Sequence, residues 1–329
     1  MLGYIIRRLV AAFLVITLTS MIVFALFFLG PTNVAELLCN EGGRCTDDRR
    51  ERLETALGLN DSVVTQYGEF VKGLVVDRTV SLGAEYECSA PCLGISFRTK
   101  TEVTTELIDK YPATFSIAIG GASIYLVLGT VLGVLAARRR GSFADRALVS
   151  GSLLLSSIPY YIVALLAWLY LINQWKIFPE SKYVPLTENP GKWFLALLLP
   201  WLVIGITNST VYARFSRGTM VETLGEDYVR TAAAKGLPEN KVVFKHGLRA
   251  AIVPIVTIFG LDFAVLLSGT IFTEAIFGID GIGRWGLTAI PVDFPVISAS
   301  VLVSAVLIVL ANLIVDIVYS FLDPRVRLA

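Results

Sequence analysis

The segment Glu226–Pro254 reads EDYVRTAAAKGLPENKVVFKHGLRAAIVP. Two polar pieces of helical composition meet at Gly236-Leu237-Pro238, inside a chain otherwise built of long apolar runs. Glu226–Lys235 holds Ala232, Ala233 and Ala234, strong helix formers, behind an acidic start. Gly236 can take the left-handed conformation that ends helices; Pro238 cannot continue one but suits the first turn of the next. The spacing predicts a helix, a sharp corner, and a second helix from Glu239 to about Ala251. The three alanines should leave a shallow face that another protein can approach closely.

Composition sets the surroundings of that elbow. With 55 % hydrophobic residues and a mean hydropathy of +0.69, the chain is more apolar than soluble domains, which lie nearer ~45–50 %. A spanning helix needs about 20 mostly apolar residues. Six runs qualify: Leu9–Leu29, Ala113–Ala137, Ala147–Ile172, Trp193–Tyr212, Ala251–Gly269 and Val296–Phe321. Each must be helical, because lipid offers no partners to open backbone groups. Gly260 and Asp262 interrupt the fifth. The fold class expected is therefore an all-α polytopic membrane protein with six transmembrane helices.

Lysine and arginine near the helix ends give the orientation. One side collects Arg7, Arg8, Arg138, Arg139, Arg140, Arg146, Arg214, Arg217, Arg230, Lys235, Lys241, Lys245, Arg249, Arg325 and Arg327. The opposite short loops hold only Lys176, Lys182, Lys192 and Arg284. Both termini and the elbow are expected in the cytoplasm, and the basic residues are topology markers rather than a nucleic-acid surface. The first apolar run is longer than the ~7–15 residues of a signal-peptide core and no A-x-A site follows it. It is expected to be a retained helix. The organisation is then 1–30, N-terminus and first helix; 31–110, an extracytoplasmic cysteine-containing segment; and 111–329, a core of helices two to six with a cytoplasmic loop at 213–249. That loop, 37 residues long, far exceeds the ~2–8 residues usual between helices and asks for a partner.

Cys39, Cys45, Cys88 and Cys92 all fall in the extracytoplasmic segment, where disulfides persist. Short pairs, Cys39 with Cys45 and Cys88 with Cys92, are the simplest of three connectivities. A zinc site competes; its usual ligand spacing of ~2–4 residues suits Cys88/Cys92 but not Cys39/Cys45. Free thiols are the remaining alternative. In the same segment Asp47 and Asp48 open a short helix with Leu53, Ala56 and Leu57 as its apolar stripe and Gly58 as its stop. It is expected to lie on the outer face.

No G-x-x-x-x-G-K-[ST], H-E-x-x-H or G-x-S-x-G occurs, and the sole histidine is His246. The chain thus has no phosphate cradle of its own, no cofactor or metal is expected in it, and it is not read as an enzyme. Transport, channel formation, scaffolding and signalling remain. A carboxylate at a helix centre costs about 2.5–3.5 kcal/mol to insert, so such groups face a cavity or a partner. Asp262, Glu274 and Asn312 are the candidate lining of a translocation pathway, with Asn208 and Asp316 further polar points; helix–helix hydrogen bonding is the competing role. Residues alone leave open a channel or ion-coupled secondary transporter using Asp262 and Glu274, or an anchor displaying the outer loop.

The elbow also resembles the EAA loop of binding-protein-dependent ABC importer permeases. Ala232-Ala233, Gly236 and Ile252-Val253-Pro254 occupy that motif's positions, and Thr231 replaces its nominal acidic residue. Glu226–Leu237 is similar to the E-D-Y-V-R-T-A-x-A-K-G-L form of the peptide subgroup, and Lys245–Pro254 echoes its R-H-A-L-R-N-A-x-x-P. The likeness to the B-type oligopeptide/dipeptide/nickel permeases extends to Tyr4–Leu9, Leu57–Asn60, Tyr111–Thr114, Glu274–Phe277 with Gly281-Ile282-Gly283, and Asp323–Arg327. Asp280 stands where that family has proline, and Glu85–Cys92 looks like an insertion before Gly94-Ile95-Ser96-Phe97.

The resemblance implies a type I importer permease in the cell (inner or plasma) membrane. It implies a homologous second permease, two ATP-binding subunits that hold ATP and magnesium, an extracytoplasmic substrate-binding protein, and a peptide substrate. Nickel, glutathione or another small solute is the alternative cargo. Glu226, Asp227, Tyr228, Arg230, Thr231, Ala232, Ala233, Lys235 and Gly236 would then meet the ATPase.

Overall fold

In the computed structural model the chain is described at residues 2–29, 35, 36, 39, 45–56, 62–82, 84–290 and 292–322. The Leu57–Asn60 and Asp323–Arg327 resemblances, and Leu57 and Gly58 of the outer helix, lie outside these residues. Among them, five helices are long and apolar enough to cross a membrane, and six if one bent pair counts as a single span. The chain forms two compact units.

The first unit comprises Met1–Pro112 with Gly281–Val309. Helix α1, Leu2–Leu29, is its apolar pillar. Helix α2, Asp47–Ala56, opens on Asp47 and Asp48 as expected. It is dressed in i,i+4 charge pairs, Arg50–Glu54 at 3.0 Å and Arg52–Asp48 at 2.6 Å, and Leu53 is half-buried. Helix α3, Val63–Gly73, is capped by Ser62, whose Oγ accepts from Thr65 N–H at 3.2 Å. A two-stranded antiparallel hairpin follows, β1 Arg78–Ser81 and β2 Glu85–Cys88. The Glu85–Cys92 insertion is thus the return strand and its exit. Disulfides join Cys39 to Cys45 and Cys88 to Cys92. No cluster of three or more metal-ligating side chains occurs among the described residues.

Asp293 organises the rest of this unit. It accepts from Ser96 Oγ at 2.5 Å, Phe97 N–H at 3.0 Å and Arg98 N–H at 3.4 Å. The Gly94–Phe97 segment is thereby tied to the residues just before the last long helix. Glu106 does the same one turn into helix α4, Val103–Arg138, accepting from Trp285 Nε1 at 2.6 Å and from the hydroxyls of Thr99 and Thr101.

The second unit comprises Ala113–Asp280 with Leu310–Ala329. Helix α5, Phe143–Ser156, is followed by α6, Tyr160–Ala167, which continues in a π-helical turn through Gln174. The sequence reading of Ala147–Ile172 as one uninterrupted run is corrected here. α5 and α6 meet at 84°. Pro159 has no N–H to donate and stands extended at φ −54°, ψ 130°, so the helix must restart after it.

Helix α7 runs Pro190–Leu224, α8 Asp227–Ala234, α9 Glu239–Lys241 and α10 Leu248–Leu267, with Val242–Gly247 forming a π-helical turn between the last two. The 37-residue connector read at 213–249 is therefore mostly helix. The fourth span continues twelve residues past Tyr212, and the predicted second arm of the elbow merges into the fifth span without stopping at Ala251. Alanine, arginine and threonine outside the apolar stretch keep helical hydrogen bonding, so hydropathy alone marks the lipid-facing portion and not the helix. Gly260 and Asp262 do not interrupt α10. Short helices α11, Ile271–Phe277, and α12, Ile282–Ala289, precede α13, Phe294–Leu322.

Helices α4 and α7 approach at glycines. A Cβ on Gly133 would lie 2.6 Å from the Ala213 carbonyl oxygen and 2.8 Å from Arg217 N, backbone atoms that cannot swing aside. Gly121 is packed under a side chain instead: a Cβ there would lie 2.8 Å from Ile204 Cγ2. Such close backbone approach is how helices associate where no hydrophobic force drives them together. Arg217, whose backbone forms part of the seam, grips Asp145 of α5 with both Nε and Nη2, the latter at 2.8 Å. Asp145 is 2 % exposed, and Gly141 N–H donates to it at 2.9 Å. Removing one partner of such a buried pair typically costs about 3–5 kcal/mol.

Gly133→Leu should overpack this seam at a cost of about 1–3 kcal/mol or more, seen as a lower thermal-unfolding midpoint of the purified protein. Gly218→Ala, on the partner helix α7 with nothing within 4 Å, should leave the midpoint unchanged or raise it.

Candidate coupling site and polar lining

Helix α8 stands alone between the ends of two long helices. α7 closes at Leu224, Glu226 enters α8 in extended conformation, and Gly236 leaves it at φ +76°. That angle is in the left-handed region, strained for any side chain though open in space, since nothing lies within 4 Å of a Cβ there. Pro238 then precedes the first turn of α9, and Arg138 of α4 donates to Glu239 at 2.7 Å.

Spacing divides the faces of α8. Val229 and Ala232, three apart, turn inward at 2 % and 8 % exposure. Asp227, Tyr228, Arg230, Thr231, Ala233, Ala234 and Lys235 are exposed, as are Glu226 and Gly236. The alanines do not share one outward face: Ala232 is part of the anchor and only Ala233 and Ala234 are presented. Thr231 donates its hydroxyl to the Asp227 carbonyl at 2.8 Å, and Arg230 stands 3.9 Å from the Asp227 carboxylate. Desolvation, then the Glu226 charge, raise the Tyr228 phenol above its usual pKa, so it is a neutral donor at physiological pH. The outward surface is thus a small ridge with mixed charge and one aromatic ring.

The three polar residues singled out for a pathway have different surroundings. Asp262 is exposed on α10 and accepts a hydrogen bond from Tyr212 Oη at 2.8 Å. Tyr125 backs Tyr212, with ring centroids 4.7 Å apart, and Phe259 lies 5.9 Å from Tyr125. Glu274 is fully buried. It accepts from Thr114 Oγ1 at 2.8 Å, Thr270 Oγ1 at 3.1 Å and Thr270 N–H at 3.2 Å, which fastens the start of α11 to α4. Asn312 is half-buried on α13. Asn208 donates to its own helix, to the Ile204 carbonyl at 3.0 Å. The structure therefore does not gather Asp262 and Glu274 into one site; it joins Asp262 to tyrosines that sequence reading passed over. Tyr212 is 50 residues from Asp262, and no local spacing announces the pair. Arg217 carries a second overlooked role: counted as a topology marker, it also holds Asp145.

Two family descriptions match this sequence: "Binding-protein-dependent transport system inner membrane component" over residues 129–328, and its N-terminal counterpart over residues 1–118. A probable peptide ABC transporter permease of Sinorhizobium fredii is 32 % identical over 325 residues, covering 98 % of this chain and 99 % of the relative. A putative peptide transport system permease of Brucella abortus is 32 % identical over 328 residues, with 99 % of each covered. The dipeptide transport system permease DppB of Escherichia coli is 32 % identical over 354 residues, again with 99 % of each covered. Among solved structures the MetNI methionine ABC transporter is similar in fold, with a TM-score of 0.54 at 18 % identity over 67 % of this chain and 97 % of that one. Long apolar helices, an isolated helix between two of them and matches along nearly the whole sequence lead to one conclusion: the chain belongs to the binding-protein-dependent transport system inner-membrane components, the multi-pass permeases of ABC transporters.

Proposed function

We propose that this chain forms half of the translocation pathway of an ATP-driven importer for short peptides. Near-full-length similarity to peptide and dipeptide permeases supports the cargo. A homologous permease completes the pathway, an extracytoplasmic binding protein delivers the peptide, and two ATP-binding subunits supply ATP and magnesium. This chain hydrolyses nothing itself.

The observation that carries the coupling role is α8: a short helix anchored by Val229 and Ala232, bounded by Gly236, and presenting Tyr228, Arg230, Thr231 and Lys235. ATP binding can move the spanning helices only through a rigid element linking the two bodies. α8 is such an element, because α7 and α9–α10 leave its ends as continuous helices and carry displacement inward. Along the pathway Asp262, oriented by Tyr212, and Asn312 supply the polar lining. Glu274, committed to Thr114 and Thr270, fixes the wall behind it.

Gly236→Pro should abolish uptake and leave ATP hydrolysis running without transport, because proline holds φ near −65°; Gly236→Ala should be milder, its cost limited to about 1–3 kcal/mol of backbone strain. Full uptake by the proline variant in reconstituted vesicles would remove α8 from the coupling path. Asp262→Ala should slow peptide transport while assembly and basal ATPase activity persist; unchanged rate and selectivity would return Asp262 to helix packing. Copurification of the complex with its binding protein, followed by mass spectrometry of the bound ligand, should yield short peptides. Nickel, glutathione or another small solute there would overturn the cargo assignment and leave the permease reading intact.

A further inference from the structure

Helix α3 has three faces where a helix on a soluble surface has two. At 3.6 residues per turn, Val63, Tyr67, Phe70 and Leu74 share one side. Phe70 is buried, Tyr67 Oη shares a 2.7 Å hydrogen bond with Ser20 Oγ of α1, and the Tyr67 and Phe70 rings lie 5.5 and 5.0 Å from Phe24. Next round the helix come Val64, Gly68 and Val71, a stripe at i, i+4 and i+7 that Val75 prolongs in the turn just past the helix end. The valines are 80 %, 43 % and 78 % exposed, and Gly68 has open space above it. Thr65, Glu69 and Lys72, all exposed, form the remaining side. Single exposed apolar residues are ordinary, but an aligned stripe beside a polar one marks an interaction surface.

Helix α1 shows what covers it. Arg8 marks the cytoplasmic boundary of α1; Ser20 and Phe24 follow by 12 and 16 residues, about 18 and 24 Å along the axis. The hydrocarbon core is about 30 Å thick, so α3 meets α1 within roughly the outermost 6–12 Å of it. Interfacial helices bury their apolar face to about 5–10 Å. At the level of the Ser20 contact α1 exposes Met21 and Ile22, each 49 %, continuing a bare surface that includes Phe13, Leu14 and Leu18. Apolar groups at that depth on a spanning helix face lipid, and the valine stripe prolongs their surface.

We propose that α3 is an interfacial helix in the extracytoplasmic leaflet: its aromatic side seats on α1, its valine stripe sits among acyl chains, and Thr65, Glu69 and Lys72 face headgroups and water. The hairpin is tied to its end, because Cys92 N–H donates to the Gly73 carbonyl at 2.9 Å. The extracytoplasmic segment is then moored to the bilayer surface rather than standing free of it.

Spin labels decide this in the complete importer reconstituted in nanodiscs. Val64→Cys, Gly68→Cys, Val71→Cys and Val75→Cys report the stripe; Thr65→Cys, Glu69→Cys and Lys72→Cys report the polar side. Both native cysteine pairs are disulfide-bonded and take no label. Collision with molecular oxygen should exceed collision with a water-soluble nickel chelate along the stripe, and the ratio should invert on the polar side. A stripe as open to nickel as the controls, or shielded from both reagents, with or without added binding protein, overturns the proposal in favour of water or a protein partner. If a valine variant fails to assemble, the Gly68 label, placed in open space, still reads the same surface.

Discussion

The close approach of α4 and α7 is the constraint on which the transport core rests. Between two spanning helices in lipid there is no hydrophobic force to spend, so contact must come from fit and from polar pairs. Gly133 against the backbone of Ala213 and Arg217, and Gly121 against Ile204, give the fit. Because the obstructing atoms at Gly133 belong to the backbone of α7, the seam admits no larger residue and fixes the two helices in register. Arg217, its backbone held in the seam, is thereby aimed at Asp145, and the bidentate pair brings α5 into the same body. The bend at Pro159 then turns the chain through 84° into α6.

That body also holds α8. A helix of eight residues is too short to hold itself in water, yet this one is pinned at Val229 and Ala232 and joined directly to α7 and α9. Its outward residues are therefore held in place by structure that continues across the membrane. Only Val229 and Ala232 turn inward, which leaves the rest of the helix surface open. The Asp262–Tyr212 bond lies in the same unit, on helices continuous with those that flank α8.

The first unit is built differently. Disulfides, a two-stranded hairpin and carboxylates that collect hydroxyl, indole and backbone donors supplement its apolar cluster. Asp293 gathers the Ser96 hydroxyl and the Phe97 and Arg98 N–H groups, and Glu106 gathers two threonines and Trp285, each joining residues nearly two hundred positions apart or closing a tight local turn. The Cys88–Cys92 bridge closes the strand exit, and Phe24, Phe70 and Phe294 pack as an aromatic cluster, with Phe24 centroids 5.0 and 5.4 Å from the other two.

The sequence by itself determined the membrane class and the number of apolar runs, because hydropathy acts residue by residue on transfer from water. It also determined the elbow, since Gly236 and Pro238 impose their angles locally, and the start of α2, where Asp47 and Asp48 favour a helix N-terminus. It misjudged where helices end: α7 and α9–α10 extend through polar residues that keep their hydrogen bonds outside lipid. The 84° bend also lay in plain view at Pro159, hidden by the surrounding apolar run. Only the tertiary structure decided that Ala232 turns inward, that Glu274 is a buried anchor, that Asp262 belongs to Tyr212, and that Arg217 clamps Asp145. Each of these depends on which distant backbone passes within hydrogen-bonding or van der Waals reach, and a one-dimensional pattern carries no record of that distance.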